Sequence, residues 1–435
     1  MESSKKDISI SIYSIIKSLS SAMDLVSQNV LGFHHLKTSY IAYRLAEELL
    51  LEADEILDLI ITSLIHDSGV FYLKTDFKEL TFDTSENRHA YVGYRIFADT
   101  FPIDNVAEII RYHHHRWVNV DPGNRNMVLA SILFTADRIA VLTEEKGDHI
   151  LQRREEIRDI INKRKGNFFY PRAVEVFNEL TYQESFWLDL EHHDVMETKL
   201  ENRCASCFPE IGLDEFLELS SIYSHIIDFR SSFTATHSSG VAAVAVEIMK
   251  LLGSTEYECQ LMEIAGYLHD IGKLAIPAHV LEKKDSLTEA EISMIRSHTY
   301  YTYRVLSQIK EFDELKRWAA YHHEQLSGEG YPFHLQEEEI SREARVMAVA
   351  DIFTALTEDR PYRGGMDEYQ VKEILQEKVQ TNALDEKIVE LVNKNYKVID
   401  SSRIQAQKKA EKYYDDFKSD INNVVAETDA VLQYN

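Results

Sequence analysis

Within one stretch of the chain, residues able to hold metal ions come in a fixed order. They are His237, the adjacent pair His269-Asp270, His298, the pair His322-His323, and Asp351. Five imidazoles and two carboxylates spread over several helical segments are the donor set of a two-metal hydrolytic centre. Adjacent residues on a helix point about 100° apart, so His269 and Asp270 reach one centre only if it is broad. Two ions about 3.5–4 Å apart make it broad enough. Asp270 is the expected bridge between them and the central catalytic group. His237, His269 and Asp351 would complete one ion, and His298, His322 and His323 the other. The set contains no thiolate, and imidazole with carboxylate suits iron, manganese or zinc, iron and manganese first. Water held between two such ions becomes hydroxide near neutral pH and attacks phosphorus in line. Lys273, just past the His-Asp pair, would act with Asp270 by neutralising charge on the phosphoryl oxygens.

Two further segments fall inside the span of these residues. In His322-His-Glu-Gln-Leu-Ser-Gly-Glu-Gly-Tyr-Pro332, glycines permit close backbone approach, which makes Gly330, Tyr331 and Pro332 candidate substrate contacts. Asp359-Arg360-Pro361-Tyr362-Arg363 supplies the guanidinium groups of Arg360 and Arg363 for bidentate phosphate or guanine contact.

Such residues need helices to carry them, and the sequence repeats its own solution. His34 precedes His66-Asp67 by 32 positions, as His237 precedes His269-Asp270. His89-Ala-Tyr-Val-Gly-Tyr-Arg95 aligns with His298-Thr-Tyr-Tyr-Thr-Tyr-Arg304, Tyr112-His113-His114 with Tyr321-His322-His323, and Ala136-Asp137 with Ala350-Asp351. His34, His66, Asp67, His89, His113, His114 and Asp137 therefore form a second candidate metal site. From the double His to the last Asp the first copy needs 23 residues and the second 28, the excess lying around Gly-Tyr-Pro. Val70 stands where the second copy has Lys273. The first copy is thus expected to bind metal but to contribute little catalysis.

Periodic apolar residues predict helices over 8–31, two over 38–66 divided near 51–54, one over 171–190, and two more over 367–395 and 404–432. The last has an apolar face from Ala410 through Tyr413, Phe417 and Ile421 to Val431, which would pack on its own domain or serve as a homodimer seam. The fold class is all-α, two tandem domains spanning residues 1–205 and 206–435. Only 15 Gly and 7 Pro in 435 residues fit that reading, and three cysteines make no disulfide framework. A formal net charge of −26 opposes binding to polymeric nucleic acid or an anionic membrane surface, while a small anion can still meet local cations or metals. No apolar run is read as membrane-spanning, and the start of the chain has no signal-peptide pattern, so a cytoplasmic protein without membrane insertion is expected.

The motifs HDIGKLAIP (269–277), HHEQLSGEGYP (322–332) and ADIFTALTEDRPYR (350–363) resemble those of the HD-GYP family, a subgroup of the HD-domain metal phosphohydrolases. The resemblance implies hydrolysis of a bacterial cyclic dinucleotide, cyclic di-GMP foremost and 3′3′-cyclic GMP-AMP next, to the linear dinucleotide. It assigns metal ligation to His237, His269, Asp270, His298, His322, His323 and Asp351, and phosphate contact to Lys273 and Arg360. It makes the first copy an HD-type domain without the Gly-Tyr-Pro loop. Ser327 and Thr354 stand where the family commonly has Asp. Some family members take a third ion on a Glu one helical turn before the first His; here Phe233 stands there, so two ions are expected. A generic HD-domain nucleotide phosphohydrolase and a non-catalytic nucleotide-binding scaffold are the competing readings.

Overall fold

The structure is a computed structural model, and it describes residues 10–27, 33–73, 88–98, 105–144, 149–204, 210–230, 236–359 and 364–432. It divides into two units, Ser11–Ile211 and Gly212–Asn435, with Ile10 counted in the second. The division falls six residues beyond the expected 205/206. The strand Glu210–Ile211, which pairs with Ile10–Ser11 in a two-stranded sheet, lies within those six residues.

In the first unit the helices are α1 (Ile12–Ser27), α2 (His34–Glu48), α3 (Ala53–Ile65), α4 (Val70–Leu73), α5 (Arg88–Phe97), α6 (Val106–Tyr112) and α7 (Arg125–Glu144). They continue with α8 (Ile150–Asn162), α9 (Pro171–Leu180), α10 (Glu184–Asp189) and α11 (His193–Cys204). The core is α2 packed against α3 and α7. The stretches Ala53–Leu73 and Arg125–Glu144 are long and apolar enough to cross a membrane by composition, contrary to the sequence expectation. They are 83% and 78% buried within the protein itself, the place of core helices in a folded domain.

The second unit repeats this plan. Its helices are α12 (Leu213–Arg230), α13 (His237–Leu251), α14 (Glu256–Leu268), α15 (Ala278–Leu281), α16 (Glu289–Leu306), α17 (Asp313–Ala320) and α18 (Arg342–Thr357), then α19 (Glu368–Gln380), α20 (Glu386–Lys394) and α21 (Tyr396–Leu432). Here α13 packs against α14 and α18, as α2 does against α3 and α7. Helix starts are written locally. Thr255 and Glu258 form a reciprocal cap on α14, Thr288 and Glu291 one on α16, and Ser341 accepts the amide of Ala344 on α18.

Each His-Asp pair follows the end of its helix, and a glycine two residues on turns the chain against the next ligand helix. A Cβ on Gly69 would lie 2.1 Å from the carbonyl oxygen of His89, and one on Gly272 would lie 1.9 Å from that of His298. Only glycine admits this approach, which brings the His-Asp corner beside the third histidine in both copies.

Three expected helices are shorter or divided. The first helix starts at Ile12 because Ile10–Ser11 is extended. The segment 171–190 breaks into α9 and α10, and the segment 367–395 into α19 and α20. The second break is set by Asn382, left-handed at φ 53°, and by Asp385, whose carboxylate accepts the amides of Lys387 and Ile388. In α21, Ala410, Phe417 and Ile421 are buried, and Phe417 and Tyr413 stack with Phe229 and His225 of α12. That face packs on its own unit; the side chains beyond residue 423 lie outside the described ones.

Candidate metal centres

The second unit brings all seven expected ligand residues together. His237 comes from the start of α13, His269 and Asp270 from the end of α14, His298 from α16, His322 and His323 from just after α17, and Asp351 from α18. Their donor atoms form overlapping groups: His237, His269 and Asp351; His269, Asp270 and His322; and His298, His322 and His323. Within each group the donor atoms lie within 4.8 Å of one another. Asp270 stands between the outer two groups. Its Oδ2 is 3.3 Å from His269 Nε2, and its Oδ1 is 3.3 Å from His298 Nε2 and 4.0 Å from His322 Nε2.

Backbone carbonyls orient the imidazoles. The Nδ1–H of His269 donates to Gly266 O at 2.7 Å, that of His298 to Ile295 O at 2.6 Å, and that of His322 to Ala319 O at 2.7 Å. Each acceptor lies three residues back, and for His269 and His322 it is a carbonyl of the last helical turn, where partners run out. With Nδ1 protonated, Nε2 keeps its lone pair and faces inward. His269 Nε2 is buried with no hydrogen-bond partner, and the Nε2 atoms of His298 and His322 face each other at 3.3 Å. A buried acceptor without a donor costs about 1–3 kcal/mol, and convergent lone pairs repel. A cation satisfies every one of them at once, so the residues fit metal ions.

The first unit builds the same arrangement. Asp67 Oδ2 faces His66 Nε2 at 3.4 Å and His34 Nε2 at 3.9 Å, while Oδ1 faces His89 Nε2 at 3.3 Å and His113 Nε2 at 3.9 Å. Asp137 Oδ1 is 3.2 Å from His34 Nε2, and His114 Nε2 is 2.8 Å from His89 Nε2. His66 and His113 donate Nδ1–H to Ser63 O and Ile110 O, and their Nε2 atoms are buried without hydrogen-bond partners.

An HD-domain profile matches residues 221–388, and a second HD-domain profile matches residues 32–142. The chain is 30% identical over 386 residues, 86% of its length and 89% of the relative's, to 3′3′-cGAMP-specific phosphodiesterase 1 of Vibrio cholerae. The chain belongs to the HD-GYP family. It is therefore a phosphodiester hydrolase that carries a second, N-terminal HD domain. The 3′3′-cGAMP-specific phosphodiesterase 3 of Vibrio cholerae is 34% identical over 52% of this chain and 49% of its own. A cyclic di-GMP phosphodiesterase of Pseudomonas aeruginosa is 37% identical over 31% of this chain and 32% of its own. A crystal structure described as a cyclic GMP-AMP specific phosphodiesterase of V. cholerae shares the fold at TM-score 0.64 and 22% identity, covering 88% of this chain and 97% of that one.

Charge at the HD-GYP centre suits cations. Burial alone would raise the Asp270 carboxyl, but the Lys273 ammonium and the His269 and His298 rings hold it well below the usual range. Burial is opposed in the same way at Asp351, by His237, His323 and His322. Burial pushes His323 down to about 4 and His322 also down, so both rings are neutral at pH 7. His237 differs. Burial would lower it, yet Glu358 and Asp351 raise it to about 10. Its Nε2 is 3.1 Å from Asp351 Oδ1, and its Nδ1 donates to Glu358 Oε2 at 3.1 Å. Positive charge is demanded at that spot.

Glu358 was not among the residues singled out in the sequence, and neither was its counterpart Glu144, 3.2 Å from His34 Nδ1. The signal was present: Ala136-Asp137 and Ala350-Asp351 are each followed, five residues after the Asp, by Leu-Thr-Glu. Carboxylates behind ligand imidazoles fix the ring and raise its basicity. Glu358→Gln is therefore expected to weaken metal retention or activity about 10- to 100-fold, measured by metal content after dialysis against chelator beside turnover. Unchanged retention and turnover would remove Glu358 from the centre. Asp228 of α12 is a second addition. Burial pushes its carboxyl up to about 7 against the pull of His237, and its Oδ1 accepts the Ser238 hydroxyl at 2.9 Å. It supplies a buried carboxylate near the centre that the expectation built on Phe233 did not consider; Phe233 itself lies outside the described residues.

The Gly-Tyr-Pro loop stands beside His323. The Glu324 carboxylate accepts the amides of Phe333 at 2.7 Å and Leu335 at 3.0 Å, and Tyr331 N–H donates to His323 O at 3.2 Å. A Cβ on Gly330 would meet Gln325 N at 2.3 Å. The close approach that Gly330 permits is thus to the loop's own backbone, and Tyr331 is the side chain presented at the site, its ring 5.0 Å from that of His323. Lys273 Nζ donates to Asp270 Oδ2 at 2.5 Å. Pro332 follows Tyr331 through a cis peptide bond. Arg360 and Arg363 lie outside the described residues.

Proposed function

We propose that the second unit hydrolyses a 3′3′-linked cyclic dinucleotide to the linear dinucleotide with two divalent ions, iron or manganese, held as the sequence divides them. The observation that carries this is Asp270, whose two oxygens face separate groups of imidazoles beside a loop presenting Tyr331. His237, His269 and Asp351 would hold one ion, His298, His322 and His323 the other, with Asp270 shared. Two such ions supply Lewis-acid charge for phosphoryl oxygens and an acidified water for in-line attack. Lys273, already in contact with Asp270, brings an ammonium to the edge of the centre, where charge accumulates on the phosphorane-like oxygens. Tyr331 offers a ring for a purine to stack on. The side chain of His323 is 30% exposed whereas those of His298 and His322 are 1% exposed, so substrate enters on the His323 side.

Between substrates, the motifs alone put cyclic di-GMP first. The relative matched across both HD domains is named for 3′3′-cyclic GMP-AMP, whereas the cyclic di-GMP relative from P. aeruginosa covers a third of the chain, and this favours 3′3′-cyclic GMP-AMP. The test is turnover of both by anaerobically purified protein, metal-free or reloaded with iron or manganese. Expected is activity only with metal, and faster on 3′3′-cyclic GMP-AMP. Equal rates on both substrates, or a preference for cyclic di-GMP, would overturn that order.

A further inference from the structure

One cation at the mouth of the HD-GYP centre belongs to none of the motifs. Arg296 lies on α16 two residues before His298 and is exposed. Its guanidinium carbon stands 5.2 Å from the centroid of the Tyr331 ring, and that ring in turn tilts at 39° against His323. Elsewhere in this unit Arg317, Arg342, Arg345 and Arg403 each meet a carboxylate. Among the described residues none pairs with Arg296. The result is a short row, guanidinium, phenol and imidazole, running from the open edge of the ligand cluster outward.

The internal repeat isolates what the pair is for. In the first copy the register position of Arg296 is Asn87, and the Gly-Tyr-Pro loop is missing as well. Both copies keep the ligand-type residues; only the copy with the loop has an arginine two residues before the His, the first copy having Arg88 one residue before it. Arg296 therefore goes with the substrate loop and not with the metal ligands. The loop cannot easily carry Tyr331 away from it, since Glu324 pins the backbone at Phe333 and Leu335.

We infer that Arg296 is a substrate-binding residue that holds the half of the cyclic dinucleotide not being cleaved. With one phosphodiester at the ions, the macrocycle must extend over the exposed face of His323 and Tyr331. A guanidinium placed there presents two parallel N–H donors to a paired acceptor edge, either the oxygens of the second phosphate or O6 and N7 of a guanine. Lysine keeps the charge over the ring but not the fork.

The inference rests on the proposed function, and its test separates the two. Arg296→Ala and Arg296→Lys are compared with wild type on 3′3′-cyclic GMP-AMP, cyclic di-GMP and bis(4-nitrophenyl) phosphate, a phosphodiester without a second nucleotide. The expected result is a KM for the cyclic dinucleotides raised about tenfold or more in both variants, with kcat less affected, and a loss on bis(4-nitrophenyl) phosphate at least tenfold smaller. Competition by cyclic di-AMP identifies the acceptor. Weakened competition in the variants assigns the phosphate, and undiminished competition assigns guanine. Full rescue by Arg296→Lys would reduce Arg296 to a support for Tyr331, and unchanged KM in both variants would remove it altogether. If wild type cleaves bis(4-nitrophenyl) phosphate but neither cyclic dinucleotide, the substrate reading falls and the Arg296 inference with it.

Discussion

Asp270→Asn is expected to abolish phosphodiester hydrolysis, lowering kcat by at least about three orders of magnitude. The substitution keeps the shape of the side chain and removes its charge. Three things fail together. The carboxylate between the two groups of imidazoles is lost, so residues that would hold two ions would no longer share an anionic ligand. The Lys273 ammonium, now in contact with Asp270 Oδ2, loses its counter-charge and no longer has a fixed position. And of the two Asp270 oxygens, 3.3 Å from His269 and His298, one becomes an N–H₂ group, which offers a metal ion no lone pair. The measurement is metal content per chain beside turnover of 3′3′-cyclic GMP-AMP. Asp270→Asn protein that binds two ions in this unit and turns over normally would mean that the bridge is elsewhere.

That these residues converge could be read in the sequence because helices impose their spacing twice. The same 32-residue interval, the same His-Asp pair and the same double His recur, and chance does not produce such a register. What was passed over is what stands behind these residues. Glu144 and Glu358 sit two helical turns after the last Asp, and only the folded α7 and α18 bring them to Nδ1 of the first His. The function of Glu324 was hidden for a different reason. Its carboxylate serves amides nine and eleven residues ahead, and no local pattern announces such a loop. Helix ends were missed where one helical segment was read across a break, as over Thr381, Asn382 and Ala383. Arg296 carries no motif, and its meaning comes only from the ring it meets.

The first unit is expected to hold metal without contributing appreciably to catalysis, and His66→Ala/Asp67→Ala measures both halves of that statement. Its ligand set matches the second unit residue for residue, with His66 and His113 pushed down to about 4 and about 3, first by burial, and so neutral at pH 7. Yet its sequence has no counterpart of Lys273 or of the Gly-Tyr-Pro loop. Val70 is buried where Lys273 stands in the other copy, and the loop after His114 is short. Arg138 is turned inward onto Asp137 Oδ2 at 2.6 Å in a buried ion pair, so it answers that carboxylate and not an incoming phosphate. Loss of one preorganised cation already costs about two to three orders of magnitude in rate. Loss of the loop as well leaves nothing to orient a nucleotide. The double variant should therefore lose the metal of the first unit, about half of the total, and unfold at a lower temperature because bound ions stabilise the state that binds them. Its kcat on 3′3′-cyclic GMP-AMP should stay within about threefold of wild type, since the second unit keeps its own ligands. Unchanged metal content would make the first unit a packing domain only. A large fall in kcat, with the metals of the second unit retained, would instead make the first centre part of the catalytic cycle.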